Sequence, residues 1–578
     1  MTCDCRFFLI PSSLALISAL FVTPYLAVRN LFPRAGAVSA LCLGGAASIM
    51  FNTAVPILFD RAGIPIDRLT LTLAHLVTVS PVIALTLIRG LPFLPAKRNG
   101  LRACAGLISL FALMVLPFTY LAGIDTYKWQ GLATSVRVEK CIPWLIHPLS
   151  LFGFTPRSYP SAQPLILATV EIMLRSGVDW GYYVVSTFSG ALGILAAFAF
   201  GRRFFGTDRQ AGWYAFLYGF SPVFVRYNHW ATGRGLLLAL LPLFLLSVLE
   251  APRARGWGGL LLTGVLMPLA HKTGLVVLPL GLISPAVGCI LPRTRNRTIL
   301  ALAALPFLGA CLLVSPTALF ATLPFGAAAG FAAKAATRFA WYIPLAVVGW
   351  LGPANWFADS GPRKLVAAAL LSLPASFAAD MYGALAALPF VTLAAAAGFF
   401  WLTERLPASG IVARIAATVL TLAGALVIVI HRSVNATPPR IRAAARFLES
   451  YDPQGPYDVV SPLRARLQIH AYVSGCPRFE VVAGPDARVS LKPLPPLDGR
   501  PSEIVKSLID YGRDFVALDD ITVFWYGRNP RSYYLAVDGA GPAPPESRRI
   551  YDRDGVVIRE PKGQQQPGRR SPRKAGDS

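Results

Sequence analysis

The chain has 578 residues, 54% of them hydrophobic and only 14% charged, and its mean hydropathy is +0.54. A soluble protein carries about a quarter charged residues, so this composition excludes a string of soluble domains. The net charge of +25 does not call for a nucleic-acid partner, because the cytoplasmic loops of membrane proteins collect Lys and Arg.

Apolar runs of membrane-crossing length follow one another up to Ile430, and the sequence then turns polar. The predicted spans are 7–28, 38–59, 69–91, 101–121, 181–200, 211–226 and 232–249. They continue with 257–270, 273–291, 298–319, 339–356, 364–379, 383–402 and 411–430. The expected fold is therefore mainly α: a polytopic transmembrane helical bundle of about fourteen spans over residues 1–430, with membrane lipids around it. A small α/β domain over 437–562 and a disordered basic tail over 563–578 follow.

Basic residues orient the spans. Arg29 and Arg34, then Arg89, Lys97, Arg98 and Arg102, then Arg202, Arg203 and Arg209 fall in alternate loops. So do Arg253 and Arg255, Arg293 to Arg297, Arg363 and Lys364, and Arg405 with Arg414. All lie on one side when the spans are counted in order, and the positive-inside rule makes that side cytoplasmic. The protein is then an integral multi-pass membrane protein whose C-terminal domain is extracytoplasmic. The outer segments include 123–180, the turn 227–231, the tip at His271 and Lys272, and the turn at Asp380 to Tyr382.

Charges concentrate in these outer segments. The first opens with Asp125, Tyr127 and Lys128, runs on to Tyr159-Pro160, and contains an apolar stretch, 164–175, too short to span. That stretch reads as an interfacial helix lying apolar face down, with Glu171 inside it. A carboxylate at the depth of Asp125 is costly unless paired, hydrated or coordinated. Arg226, His229 and Arg234 crowd the next turn, on the side where positive charge is least expected. Guanidinium groups there suit a phosphate, which they bind bidentately. His271 and Lys272 interrupt a run that is apolar on both sides, and Asp380 with Tyr382 forms a third interruption. A lipid-linked phosphate with a carboxylate base would use this set. A transporter or flippase for a lipid-linked or anionic solute would use it too, but should show matching halves with broken helices, and no internal repeat is seen. The eight cysteines form no CxxC pair and no cluster at zinc spacing.

Together these residues resemble the GT-C membrane glycosyltransferases, near the protein mannosyltransferase and aminoarabinose transferase group. The matching elements are Gly123-Ile-Asp125-Thr-Tyr127, Ser158-Tyr159-Pro160 with Pro164, Ser221-Pro222 leading into Arg226 to Leu243, and Asp380-Met-Tyr382 to Pro389. An outer α/β domain after the last span completes the set, leaving the spans in 1–100 as an N-terminal addition. The resemblance implies a polyprenyl-phosphate sugar donor, an extracytoplasmic acceptor (glycan, lipid or protein), and inverting transfer. It makes Asp125 the catalytic base. Lys128, Arg226, His229, Arg234, His271 and Lys272 become donor-phosphate ligands, and Tyr127, Tyr159, Asp380 and Tyr382 position substrate. No organic cofactor is implied. A divalent metal, magnesium or manganese, would rest on Asp125, yet Thr126 and Tyr127 stand where the family often has a second acidic residue. The Trp-Trp-Asp-Tyr-Gly signature of oligosaccharyltransferases is absent, which argues against transfer of a whole oligosaccharide to asparagine.

In the outer domain, helical spacing over 440–450 and 464–474 and over 501–511 alternates with strands at 457–460, 479–482, 515–518 and 521–526. Asp554-Gly555 marks a hairpin.

Overall fold

A computed structural model describes residues 22–33, 36–91, 100–116, 121–122, 124–142, 151–152, 160–174, 177–250, 254–271, 273–275, 339, 341–351, 380–405, 410–433, 436–451, 457–460, 469, 478–480, 523–525, 531–539 and 546–561. The protein is a helical membrane protein with a small C-terminal α/β domain. The helices are α1 (Thr23–Leu31), α2 (Ala37–Arg61), α3 (Arg68–Ile88), α4 (Leu101–Val115), α5 (Ile124–Glu139), α6 (Ala162–Leu174) and α7 (Val178–Phe205). They continue with α8 (Asp208–Gly219), α9 (Pro222–His229), α10 (Gly233–Glu250), α11 (Ala254–Ala270), α12 (Tyr342–Leu351), α13 (Asp380–Arg405), α14 (Gly410–Ser433) and α15 (Pro439–Tyr451). Among the described residues, six helices are long and apolar enough to cross a membrane: α2, α3, α7, α10, α13 and α14. The predicted spans 273–291, 298–319 and 364–379 lie essentially outside the described residues, as does most of 7–28.

Burial separates the centre of the bundle from its rim. The apolar windows of α7 and α10 are 89% buried, whereas those of α3 and α14 are 17% buried and present Leu73, Val77, Ile88, Ile415 and Val427 outward. Such exposed aliphatic faces are what a lipid environment requires. Helices α12 and α13 cross at paired glycines, since a Cβ on Gly349 would overlap Ala394 O and one on Gly398 would overlap Leu345 O. Small residues allow that backbone-to-backbone approach.

Three departures from the sequence reading have local causes. The predicted span 211–226 is two helices. Helix α8 stops at Gly219, and Ser221 caps α9, its hydroxyl accepting from Phe224 N at 3.2 Å, with Pro222 in the first turn. A serine N-cap followed by proline is a restart signal. Second, Asp380 to Tyr382 is not a turn between spans but the first turn of α13, where an acidic residue suits the positive end of the helix dipole. Third, α6 has no polar face to turn outward. Every residue from Ala162 to Met173 is buried by surrounding protein, so neither face is wet. Its 13 residues extend only about 20 Å, short of the roughly 30 Å of a hydrocarbon core.

In the C-terminal domain, strands β1 (Tyr457–Val460), β4 (Arg531–Val537), β5 (Ser547–Arg553) and β6 (Val556–Pro561) form a sheet ordered β1-β4-β6-β5, with β1 parallel to β4 and the rest antiparallel. β2 (Arg478–Glu480) pairs with β3 (Val523–Trp525). Asp554 and Gly555, at φ 50° and 74°, make the predicted β5–β6 hairpin. Helix α15 places Ile441, Ala444, Ala445 and Leu448 against Val459, Leu535, Val556 and Ile558. The predicted elements at 464–474, 501–511 and 515–518 fall outside the described residues, apart from Ile469.

Candidate active site

Contacts among the described residues sort the loops onto two ends of the bundle. At one end Arg89 donates to Asn30 O, and Arg202 pairs with Asp208 at 2.7 Å. That is the arginine-rich end. At the other, Ile142 N donates to Asp60 Oδ1 at 2.7 Å and Ile66 N to Lys140 O at 2.7 Å. The segment that ends at Ile142 is therefore anchored beside the α2–α3 loop.

Helix α5 carries three of the candidate residues. Asp125 stands in its first turn, Tyr127 is fully buried, and Lys128 is half-buried. One face repeats short polar residues, Thr126, Gln130 and Thr134, all buried, and continues to Arg137. This face meets Glu171 of α6. Gln130 Nε2 donates to Glu171 Oε1, and Arg137 Nη1 lies 3.6 Å from Oε2. Behind the carboxylate is Gly181, where a Cβ would sit 2.7 Å from Glu171 Cγ. Burial pushes the Glu171 carboxyl up to about 7 against the opposing pull of Arg137 and Gln130, with Asp179 adding to the rise.

The turn between α9 and α10 is held from two sides. Thr126 Oγ1 donates to Trp230 O at 3.3 Å, and Gln163 Nε2 donates to Ala231 O at 2.6 Å. Ala231 adopts φ 38°, a left-handed conformation that costs a β-carbon residue energy and persists where its surroundings over-determine it. Arg226 and Arg234 flank one ring: their guanidinium carbons lie 5.8 and 5.7 Å from the centre of Tyr227, and Arg226 is 5.4 Å from Trp230. Arg226 is exposed and Arg234 half-buried. His229 differs from both, being buried edge-on to Tyr182 at 6.3 Å.

The tip after α11 closes on the same place. Gly233 adjoins Ala270 O and the Trp129 ring so tightly that no Cβ would fit. His271 follows, buried, with Thr273 N donating to its Nδ1 at 3.2 Å. A ring nitrogen that accepts a backbone N–H leaves the proton of a neutral imidazole on Nε2. The strap leading into the C-terminal domain arrives here too. Ala436 pairs with Ala122, and Thr437 N donates to Leu121 O at 3.0 Å.

Thus Thr126, Tyr127 and Lys128, the turn from Arg226 to Arg234, and His271 occupy one end of the bundle. The side chains of Asp125, Asp380 and Tyr382 and the whole of Tyr159 and Lys272 lie outside the described residues. Among the described residues, no three His, Cys, Asp or Glu side chains converge. Sequence reasoning missed Gln130, Arg137 and Gln163. The signal for the first two was the Thr126, Gln130, Thr134, Arg137 spacing, which follows one helix face.

No protein-family model matches the chain, and no curated protein matches it. Among solved structures, the chain is similar to the Archaeoglobus fulgidus oligosaccharyltransferase crystallised with zinc and sulfate, with a TM-score of 0.43 and 15% identity. The match covers 64% of this chain and spans 61% of that one. A likeness of that size assigns no activity.

Proposed function

We propose that this chain is a membrane glycosyltransferase of the GT-C kind, moving a sugar from a polyprenyl-phosphate donor to an extracytoplasmic acceptor. The observation that supports it best is the gathering at one end of the bundle of the α5 start, the arginine turn and the His271 tip, opposite the arginine-rich end. That partition suits an anionic headgroup held outside the cytoplasmic face.

In the reaction, an acceptor hydroxyl attacks the anomeric carbon as the bond from that carbon to the phosphate oxygen breaks. Asp125 takes the hydroxyl proton, a contribution of about 10²–10⁴ in rate. The departing phosphate keeps the bonding electron pair. Arg226, Arg234 and the Nε2–H of His271 stabilise it, with Lys128 and Lys272 adding charge; such preorganised donors supply the largest share of many enzymes' acceleration. One displacement inverts the anomeric centre. His229, being buried against Tyr182, shapes the turn rather than touching phosphate.

The test is a panel of radiolabelled polyprenyl-phosphate monosaccharides given to purified protein in membranes that supply acceptor. Wild type should consume one donor, and Asp125→Asn should lose transfer while keeping its melting temperature. Full transfer by Asp125→Asn would refute the assignment.

A further inference from the structure

The C-terminal domain is joined to the bundle at the two positions that bracket Asp125. On the near side of Asp125, Leu121 O accepts from Thr437 N at 3.0 Å, beside the Ala122–Ala436 bridge. On the far side, the Thr437 hydroxyl lies 3.0 Å from the Tyr127 hydroxyl, which donates in turn to Leu121 O at 3.3 Å. The Thr437 hydroxyl is also 3.1 Å from that carbonyl. Leu121, Tyr127 and Thr437 are all buried, at 0%, 0% and 2% exposure, so the small ring of hydrogen bonds is shielded from water. Shielded polar groups are costly to leave unmade, which makes such a ring a determinant of geometry and not an optional contact.

The same strap is rigidly continuous with the C-terminal fold. Two residues beyond Thr437, α15 begins, and its apolar face is one wall of the domain core. Arg442 on α15 reaches Asp179 in the first turn of α7 at 3.5 Å, both side chains largely buried. Strand β2 of the domain also approaches α5. A displacement of the domain is thus passed to the residues on either side of Asp125.

We propose that Thr437 is a positioning residue, through which the docked C-terminal domain fixes the start of α5 and hence the reach of Asp125. This rests on Asp125 being the base. The domain then acts on the chemical step more than on donor capture, because apart from Lys128 the phosphate-facing residues lie on the α9–α10 turn and the α11 tip.

The test uses the full-length protein and the polyprenyl-phosphate monosaccharide found to be consumed, comparing Thr437→Val, Thr437→Ser and Tyr127→Phe with Asp125→Asn. Thr437→Val keeps the shape and deletes the hydroxyl. Its kcat should fall about tenfold to a hundredfold, the scale of a misplacement of roughly 1 Å, with donor KM within about twofold. Thr437→Ser should restore kcat. Tyr127→Phe should repeat the kcat loss, serving also if Thr437→Val folds poorly. Hydrogen exchange at amides 121–127 should quicken in both hydroxyl-deleting variants. Quickened exchange with unchanged kcat would make the strap a mere tether and overturn the proposal, as would a loss confined to donor KM. Normal transfer by Asp125→Asn would overturn the base assignment instead, so the two failures are distinguishable.

Discussion

Replacing Glu171 by glutamine should stabilise the protein at alkaline pH and leave it nearly unchanged in acid. The carboxyl has a side chain of 0% exposure, and its folded value of about 7 stands above the ordinary 4.5. Between those values the folded state holds the proton while the unfolded state releases it. Stability therefore falls as pH rises from about 4.5 to about 7, and the loss is complete above that window. At about 1.4 kcal/mol per unit, the full cost is on the order of 3 kcal/mol, of which roughly 2.5 kcal/mol develops between pH 5 and pH 8. Glutamine fits the same space and cannot ionise. Arg137, 25% exposed, can turn to solvent when its partner becomes neutral. Thermal unfolding in detergent at several pH values is the assay, with the wild-type slope across pH 5–8 compared with that of Glu171→Gln. The reasoning fails if both proteins show the same slope, or if Glu171→Gln is the less stable at pH 8.

Other outcomes follow from single contacts. Gly233→Ala places a methyl where Ala270 O and the Trp129 ring already meet, and should cost about 1–3 kcal/mol of stability, read as a lower melting temperature. Ser221→Ala removes the cap of α9 and should cost about 1 kcal/mol by the same measurement, most of it recovered in Ser221→Thr. Arg226→Leu and Arg234→Leu should each weaken the donor interaction about tenfold or more, seen in kcat/KM with the polyprenyl-phosphate sugar, whereas Arg202→Leu at the opposite end should leave it unchanged.

What was legible in the sequence is the alternation of ends. Among the described residues, Arg89 and Arg202 gather at one end, as membrane insertion that filters charge by side would place them, and that constraint acts on composition, so it can be read without coordinates. Helix α5 was not legible. Its inward residues are threonine, glutamine, serine and tyrosine as well as leucine and valine, so no apolar stripe announces it. The break at Phe220 was hidden inside a continuous apolar run, and only Ser221-Pro222 marked it. Helix α6 was legible as a short apolar helix, but its surroundings were not. A short apolar segment with one acid fits an interfacial helix equally well, and only the Gln130 and Arg137 partners, contributed by a different helix, show how that acid is accommodated. Strand β4 escaped notice although Tyr534 to Val537 line up against β6, because its alternation is brief and its pairing is non-local.

The glycine crossing of α12 with α13 turns the latter into a lever. Gly398 is the fulcrum, and Asp380 lies 18 residues away at the opposite tip, roughly 27 Å along the axis. A tilt of roughly 10° at the crossing would swing that tip by about 5 Å, more than a hydrogen bond can span. A single methyl added at Gly398 would press on Leu345 O, and the shift it forces would be carried along α13 toward Asp380.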